Sequence, residues 1–169
     1  MTGDGVVTNG DDVGGVKRIA LDTDAINSLV STKLLDEISA AAKQRGIVFV
    51  LIHVVRDQLA QTSDAGRRAQ LLEVYDVLPI IELPTSGFVL GISRLGHAEI
   101  KDSAAELEVF TTSGRGKMQD ALIGATAAAK ADVLVTDDRT LTKRVMAHTM
   151  RCEIWTFERL VRFLLEKEE

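Results

Sequence analysis

The sequence predicts an α/β fold built on a central, mainly parallel sheet, and three stretches carry that prediction. From Ala121 to Ala131 only Gly124, Thr126 and Lys130 interrupt an apolar, small-residue run, the composition of a helix buried on most sides. Val133, Leu134 and Val135 follow at once. They are rich in β-branched side chains and too few for a helix, so the pair reads as a helix feeding a buried strand. Ile47 to Ile52 is continuously apolar with VFVL at its centre, which is how a central parallel strand covered on both faces reads.

The remaining elements follow in order. Residues 1–15 are glycine-rich and acidic with no periodicity, and are expected to be a disordered leader; residues 16–169 form the domain. Ile19 to Leu21 is a short strand ending on Asp22, with Asp24 two residues on. Ala25 to Val30 and Leu34 to Lys43 have helical spacing, and Gly46 suits a helix C-terminus. Asp57 lies beyond the second strand, and the pattern from there to Leu78 is helical, with Arg67 and Arg68 placed toward solvent or a polyanion. Val77 to Leu83 reads as a further strand that Pro79 marks as an edge or a strand start. Ser103 and Glu106 have capping-box spacing for a helix over Ala104 to Phe110, and TTSGRGK at Thr111 to Lys117 reads as a basic, glycine-containing loop. After Asp138 come a short helix with Arg139, Lys143 and Arg144, a last strand at Cys152 to Trp155, and a Thr156-capped helix turning Leu160, Phe163 and Leu164 inward.

Composition narrows the function. A chain of 169 residues, 46% hydrophobic, is enough for one domain with a full core. Its net charge of −5 excludes a generic polyanion-coating protein, so any nucleic-acid contact must come from a local basic patch. One cysteine, Cys152, allows no internal disulfide, and no apolar run approaches the ~20 residues of a membrane span. No basic segment followed by an apolar one opens the chain, so the expectation is a cytoplasmic protein without a membrane partner. His53, His97 and His148 lack metal-ligand spacing and read, like Cys152, as packing or surface residues.

The acids carry the chemistry. Asp22 and Asp138 sit at the C-terminal ends of predicted parallel strands, the edge where open sheets bind ligands, and Asp120, opening the small-residue helix, projects to the same side. With Asp57 they would form one carboxylate cluster. Such a cluster raises its own pKa values unless a cation relieves it, and an oxygen-only donor set suits Mg²⁺ or Mn²⁺. The chemistry implied is phosphodiester hydrolysis. Taken singly, each acid is more simply a cap or turn former, and Asp137 reads as the N-cap of a helix over Arg139 to Met146.

Four motifs together resemble the PIN-domain family: DTDAI at Asp22, VVRDQL at Asp57, QDALIGATA at Asp120 and LVTDDRTL at Asp138, spanning roughly Val16 to Val161. The most specific part is the pair DALIGATA and VTDDR, whose acids Asp120 and Asp138 stand 18 residues apart. The resemblance implies a three-layer α/β/α domain and a Mg²⁺- or Mn²⁺-dependent endoribonuclease, often a homodimeric toxin paired with an antitoxin protein. It makes Asp22, Asp57, Asp120 and Asp138 the metal-binding acids, with Thr136 the hydroxyl beside them and Asp24 and Asp137 in support. Two positions depart from the family pattern: Asp57 stands where Glu is usual, and Asp24 where Asn or Ser is common. Arg115 and Lys117 are the candidate RNA phosphate contacts.

Two other functions compete. Asp22-x-Asp24 after a strand resembles the nucleophile and acid of haloacid-dehalogenase-like phosphatases, with Asp137 and Asp138 as the metal acids. That leaves DALIGATA unexplained and finds no Ser/Thr or Lys motif at a strand end. A degenerate PIN-like module binding RNA or protein without catalysis is the third, and the presence of all four acids weighs against it.

Overall fold

The computed structural model describes residues 17–85, 92, 115–148 and 151–166; the side chains of residues 115–117 and 148 are not part of that description. The 1–15 leader, the helix expected at Ala104 to Phe110 and the 111–114 part of the basic loop lie outside the described residues.

Among the described residues the elements run β1 (Arg18–Leu21), α1 (Thr23–Thr32), α2 (Leu35–Gln44), β2 (Val48–Ile52), α3 (His53–Ala60), α4 (Ala65–Val77), β3 (Ile80–Leu83), α5 (Arg115–Lys130), β4 (Val133–Val135), α6 (Arg139–His148), β5 (Glu153–Trp155) and α7 (Phe157–Leu165). The strands form one five-stranded sheet in the order β3-β2-β1-β4-β5. Every pairing is parallel, with Ala20 opposite Val50 on one side and Leu134 on the other.

The alternation of side chains along each strand divides the core between the sheet's two faces. Ile19, Leu21, Phe49, Leu51, Val133 and Val135 pack with Ile26 and Leu29 of α1, Ile38 of α2, Leu71 and Val74 of α4, and Leu160 and Leu164 of α7. Ala20, Val50 and Leu134, one residue out of step, pack with Ala121 and Ala125 of α5 and Leu141 and Val145 of α6. The result is the three-layer α/β/α arrangement, and the small residues of α5 let that helix lie close on the sheet. Cys152 is buried in the second cluster, where burial pushes its thiol up to about 11 and leaves it a packing group.

Local chemistry sets the helix ends. Asp64 Oδ1 accepts from Arg67 N at 2.6 Å to open α4, and Thr156 Oγ1 accepts from Arg159 N at 3.2 Å to open α7. Asp36 and Glu37 in the first turn of α2 and Lys43 in its last complement the helix dipole. The helical pattern expected between Asp57 and Leu78 is two helices, because Asp64 caps a new one. Arg67 and Arg68, expected to face solvent or a polyanion, are half-buried. Arg67 donates to Asn27 O (3.1 Å) and Ser31 Oγ (2.9 Å), and Arg68 to Thr62 O (2.8 Å), so both tie elements together.

After α2, Gly46 adopts φ +66, the left-handed region. An added Cβ there meets nothing within 4 Å, so substitution carries a conformational cost alone. Gly46→Ala is expected to lower unfolding free energy by about 1 kcal/mol, read as a lower denaturation midpoint at unchanged m-value.

Candidate active site

The strand order reverses between β1 and β4, the switch point at which an open parallel sheet leaves a crevice beyond its carboxyl edge. Asp22 follows β1 directly. Its N–H donates to Val135 O at 3.2 Å, extending the sheet by one residue, and its Oδ1 accepts from Ala25 N at 2.7 Å as the N-cap of α1. Thr136 follows β4 and is buried; its hydroxyl bonds the Asp22 carboxylate, and its Oγ1 accepts from Asp138 N at 3.1 Å. Asp138 Oδ1 accepts from Thr140 N at 2.6 Å and Leu141 N at 3.1 Å. Each strand-end acid is thus held by the first-turn N–H groups of the helix it opens, and Thr136 links the two.

Asp22 and Asp138 line a cleft of about 390 Å³ together with Thr23, Asp24, Gln58, Asp120, Ile123 and Leu141. Asp120 comes from the second turn of α5 and is half-buried. Four carboxylates from three separate stretches of chain therefore share one cavity.

Their electrostatics follow from that crowding. Asp22 is only 5% exposed, and burial pushes its carboxyl up to about 6. The Thr136 hydroxyl and Ala25 N–H pull it down, while Asp24 and Asp137 push it up. Burial also raises Asp120, with Asp138 and then Asp24 adding to the rise and Arg144 opposing it. No lysine or arginine is among the described residues that line the cleft.

The donor set is oxygen only, which fits Mg²⁺ or Mn²⁺ rather than a softer metal. Among the described residues no three His, Cys, Asp or Glu side chains are gathered tightly enough to hold an ion by themselves.

Several sequence expectations need correction. Asp57 does not line the cleft; Gln58 does. The Asp57 charge is felt instead by Tyr75 of α4, whose hydroxyl is raised chiefly by burial. Consecutive residues on a helix point ~100° apart, so the two side chains leave α3 in different directions. Asp138, not Asp137, caps α6, because it is the residue that directly precedes Arg139. Asp137 is exposed and outside the lining, though its charge reaches Asp22. Asp120 is not at the helix start: α5 begins at Arg115, so Arg115 to Lys117 are its first turn and not a loop. The side chains of Arg115 and Lys117 lie outside the described residues. Asp24 is exposed and lines the cleft as expected of an outer polar residue.

Three further polar residues of the cleft wall carry no local signal in the sequence. Thr23 Oγ1 donates to Gln58 Oε1, and Gln58 Nε2 donates to Gln119 Oε1 at 3.2 Å, joining α1, α3 and α5 across the cleft wall. Arg144 on α6 is half-buried and near enough to Asp120 to stabilise its charge.

No family model matches the chain, and no curated protein does. Among solved structures it is similar to the crystal structure of PAE2754 from Pyrobaculum aerophilum, with a TM-score of 0.50 and 18% identity over 95% of this chain and 99% of that one. Likeness at that identity speaks to architecture, and with the all-parallel sheet and its two helical layers it establishes a three-layer α/β/α fold.

Proposed function

We propose that the protein is a Mg²⁺- or Mn²⁺-dependent endoribonuclease. The observation that carries this reading is the convergence of Asp22, Asp120 and Asp138 on one cleft at the sheet's carboxyl edge. These three acids would hold the cation, which when bound supplies an acidified water and neutralises charge developing on the scissile phosphate. Backbone N–H groups fix Asp22 and Asp138, so neither carboxylate has to be ordered when substrate arrives. Thr136 orients Asp22, and Asp24 stands at the rim. Arg115 and Lys117, within the turn that precedes Asp120, are the proposed phosphate contacts that an acidic chain otherwise lacks. A homodimer and an antitoxin partner belong to the same reading and rest on the family resemblance. Among the described residues no helix is long and apolar enough to cross a membrane.

The test is cleavage of an RNA oligonucleotide with Mg²⁺ or Mn²⁺, its abolition by EDTA, and its absence in Asp120→Asn. Metal-independent cleavage, or none, rejects the proposal. Divalent metal should also raise the melting temperature, because binding to the native state alone adds about 2.7 kcal/mol at a hundredfold excess over Kd. The shift should disappear in the Asp22→Asn/Asp138→Asn double variant; an equal shift in both proteins would mean that these acids do not form one site.

A phosphatase remains the second reading because Asp22 and Asp24 both line the cleft. In that chemistry the first acid attacks phosphorus and the second protonates the leaving group, so Asp24→Asn nearly abolishes turnover. As a ribonuclease with Asp24 at the rim, the same variant is expected to lose at most about tenfold, roughly 1.4 kcal/mol of barrier. Asp24-dependent hydrolysis of an aryl phosphate without RNA cleavage would decide for the phosphatase.

A further inference from the structure

The described lining of the cleft comprises four aspartates, two apolar residues, Thr23 and Gln58, and Gln58 is the only one of these with a side-chain N–H to offer. The Thr23 hydroxyl is already spent on Gln58 Oε1, which fixes the amide with its nitrogen turned away from Thr23. Of the two N–H groups on Gln58 Nε2, one goes to Gln119 Oε1 at 3.2 Å. The other is a positioned donor in a cavity whose remaining polar walls are carboxylates.

We infer that Gln58 is a substrate-binding residue, donating this N–H to an oxygen of the RNA nucleotide next to the scissile phosphate. The inference rests on the ribonuclease reading. It assigns the Gln58 amide to substrate and the aspartates to the cation. A carboxylate at position 58 would repel the phosphate chain, and an amide attracts any acceptor oxygen without competing for metal. Thr23 and Gln119 act as positioning residues, since they hold the amide's orientation without themselves offering the donor.

The test compares Gln58→Met, which keeps the side chain's length and loses its hydrogen bonds, with Gln58→Glu, which keeps the acceptor for Thr23 and removes the donor. Both are assayed by RNA cleavage and by the Mg²⁺ dependence of the rate. Gln58→Met is expected to raise KM about tenfold and Gln58→Glu, which adds repulsion, by more; both are expected to leave kcat within about threefold, and Gln58→Met to leave the Mg²⁺ midpoint unchanged. A merely structural role would lower the melting temperature and kcat together without selective loss in KM, and that result would overturn the inference. Faster cleavage or a lower Mg²⁺ midpoint in Gln58→Glu would overturn it too, by assigning position 58 to the cation. Oligo(U) and oligo(A) substrates identify the acceptor: an equal loss on both marks a phosphate or ribose oxygen, and a loss confined to oligo(U) marks a base carbonyl, which adenine lacks. Wild-type cleavage unaffected at Gln58 removes this inference alone, whereas absence of wild-type cleavage removes the ribonuclease reading with it.

Discussion

Asp120→Asn is expected to lower RNA cleavage at least ~100-fold, about 2.7 kcal/mol of barrier, while the melting temperature of the metal-free protein holds or rises. The substitution keeps the side chain's shape and removes one charge from a cavity that also holds Asp22, Asp24 and Asp138. Loss of that charge weakens the proposed cation site and with it the stabilisation of the phosphate in the transition state. The fold should not suffer. Burial and the charges of Asp138 and Asp24 already disfavour ionised Asp120, and the neighbouring Ala121 and Leu122, which pack the core, are untouched. Initial rates over a range of Mg²⁺ concentrations, beside a melting curve, would check both halves. Activity within a fewfold of wild type at saturating Mg²⁺ would dismiss Asp120 as a member of the site.

Much of this site was legible because its position is topological. A parallel sheet brings the C-terminal ends of all its strands to one edge, so recognising Ile19–Leu21 and Val133–Val135 as strands was enough to bring Asp22 and Asp138 together. The strand at Val133–Val135 is found where its β-branched run predicted, and Pro79 immediately precedes an edge strand. Asp120 was legible for a related reason: the alanines beside it mark a helix that must lie close on the sheet.

What was not legible depends on rotation about a helix or on partners distant in sequence. Asp57 and Gln58 both fall three or four residues after a buried residue, His53, Val54 or Val55, so periodicity does not decide which faces the cleft. Charge suggested Asp57, and the packing of α3 chose Gln58. The Thr23–Gln58 and Gln58–Gln119 bonds join residues 35 and 61 apart in the chain, and no local pattern announces them. Arg67 reads as a surface cation until Asn27 and Ser31, on another helix, are brought beside it. Asp137 and Asp138 differ by one residue, within the uncertainty of any helix boundary inferred from sequence.

Asp22→Asn is expected to abolish cleavage and, in metal-free protein at pH 7, to raise unfolding free energy by about 1–3 kcal/mol. The Asp22 carboxyl is pushed up to about 6 in the folded chain from an ordinary value of 3.8, mainly by burial. A carboxyl raised in the native state binds its proton more tightly there than in the unfolded chain. Its contribution to stability is therefore fully present below about pH 4 and is lost as pH rises through about 6. Wild-type stability should fall across that window through this group, and the Asn variant should lack that part of the slope. The two proteins should converge near pH 4, where Asp22 is neutral in both states. Asparagine retains an acceptor for Ala25 N–H, so the α1 cap survives the change. Saturating Mg²⁺ should reverse the order at pH 7, because only the wild type gains binding energy from the ion. Urea unfolding at pH 4, 5, 6 and 7, with and without Mg²⁺, measures every part of this. A variant less stable than wild type at pH 7 without metal would mean that the bonds from Thr136 and Ala25 outweigh the cost of burying the charge. The acid would then be a structural cap and not a site held ready for a cation.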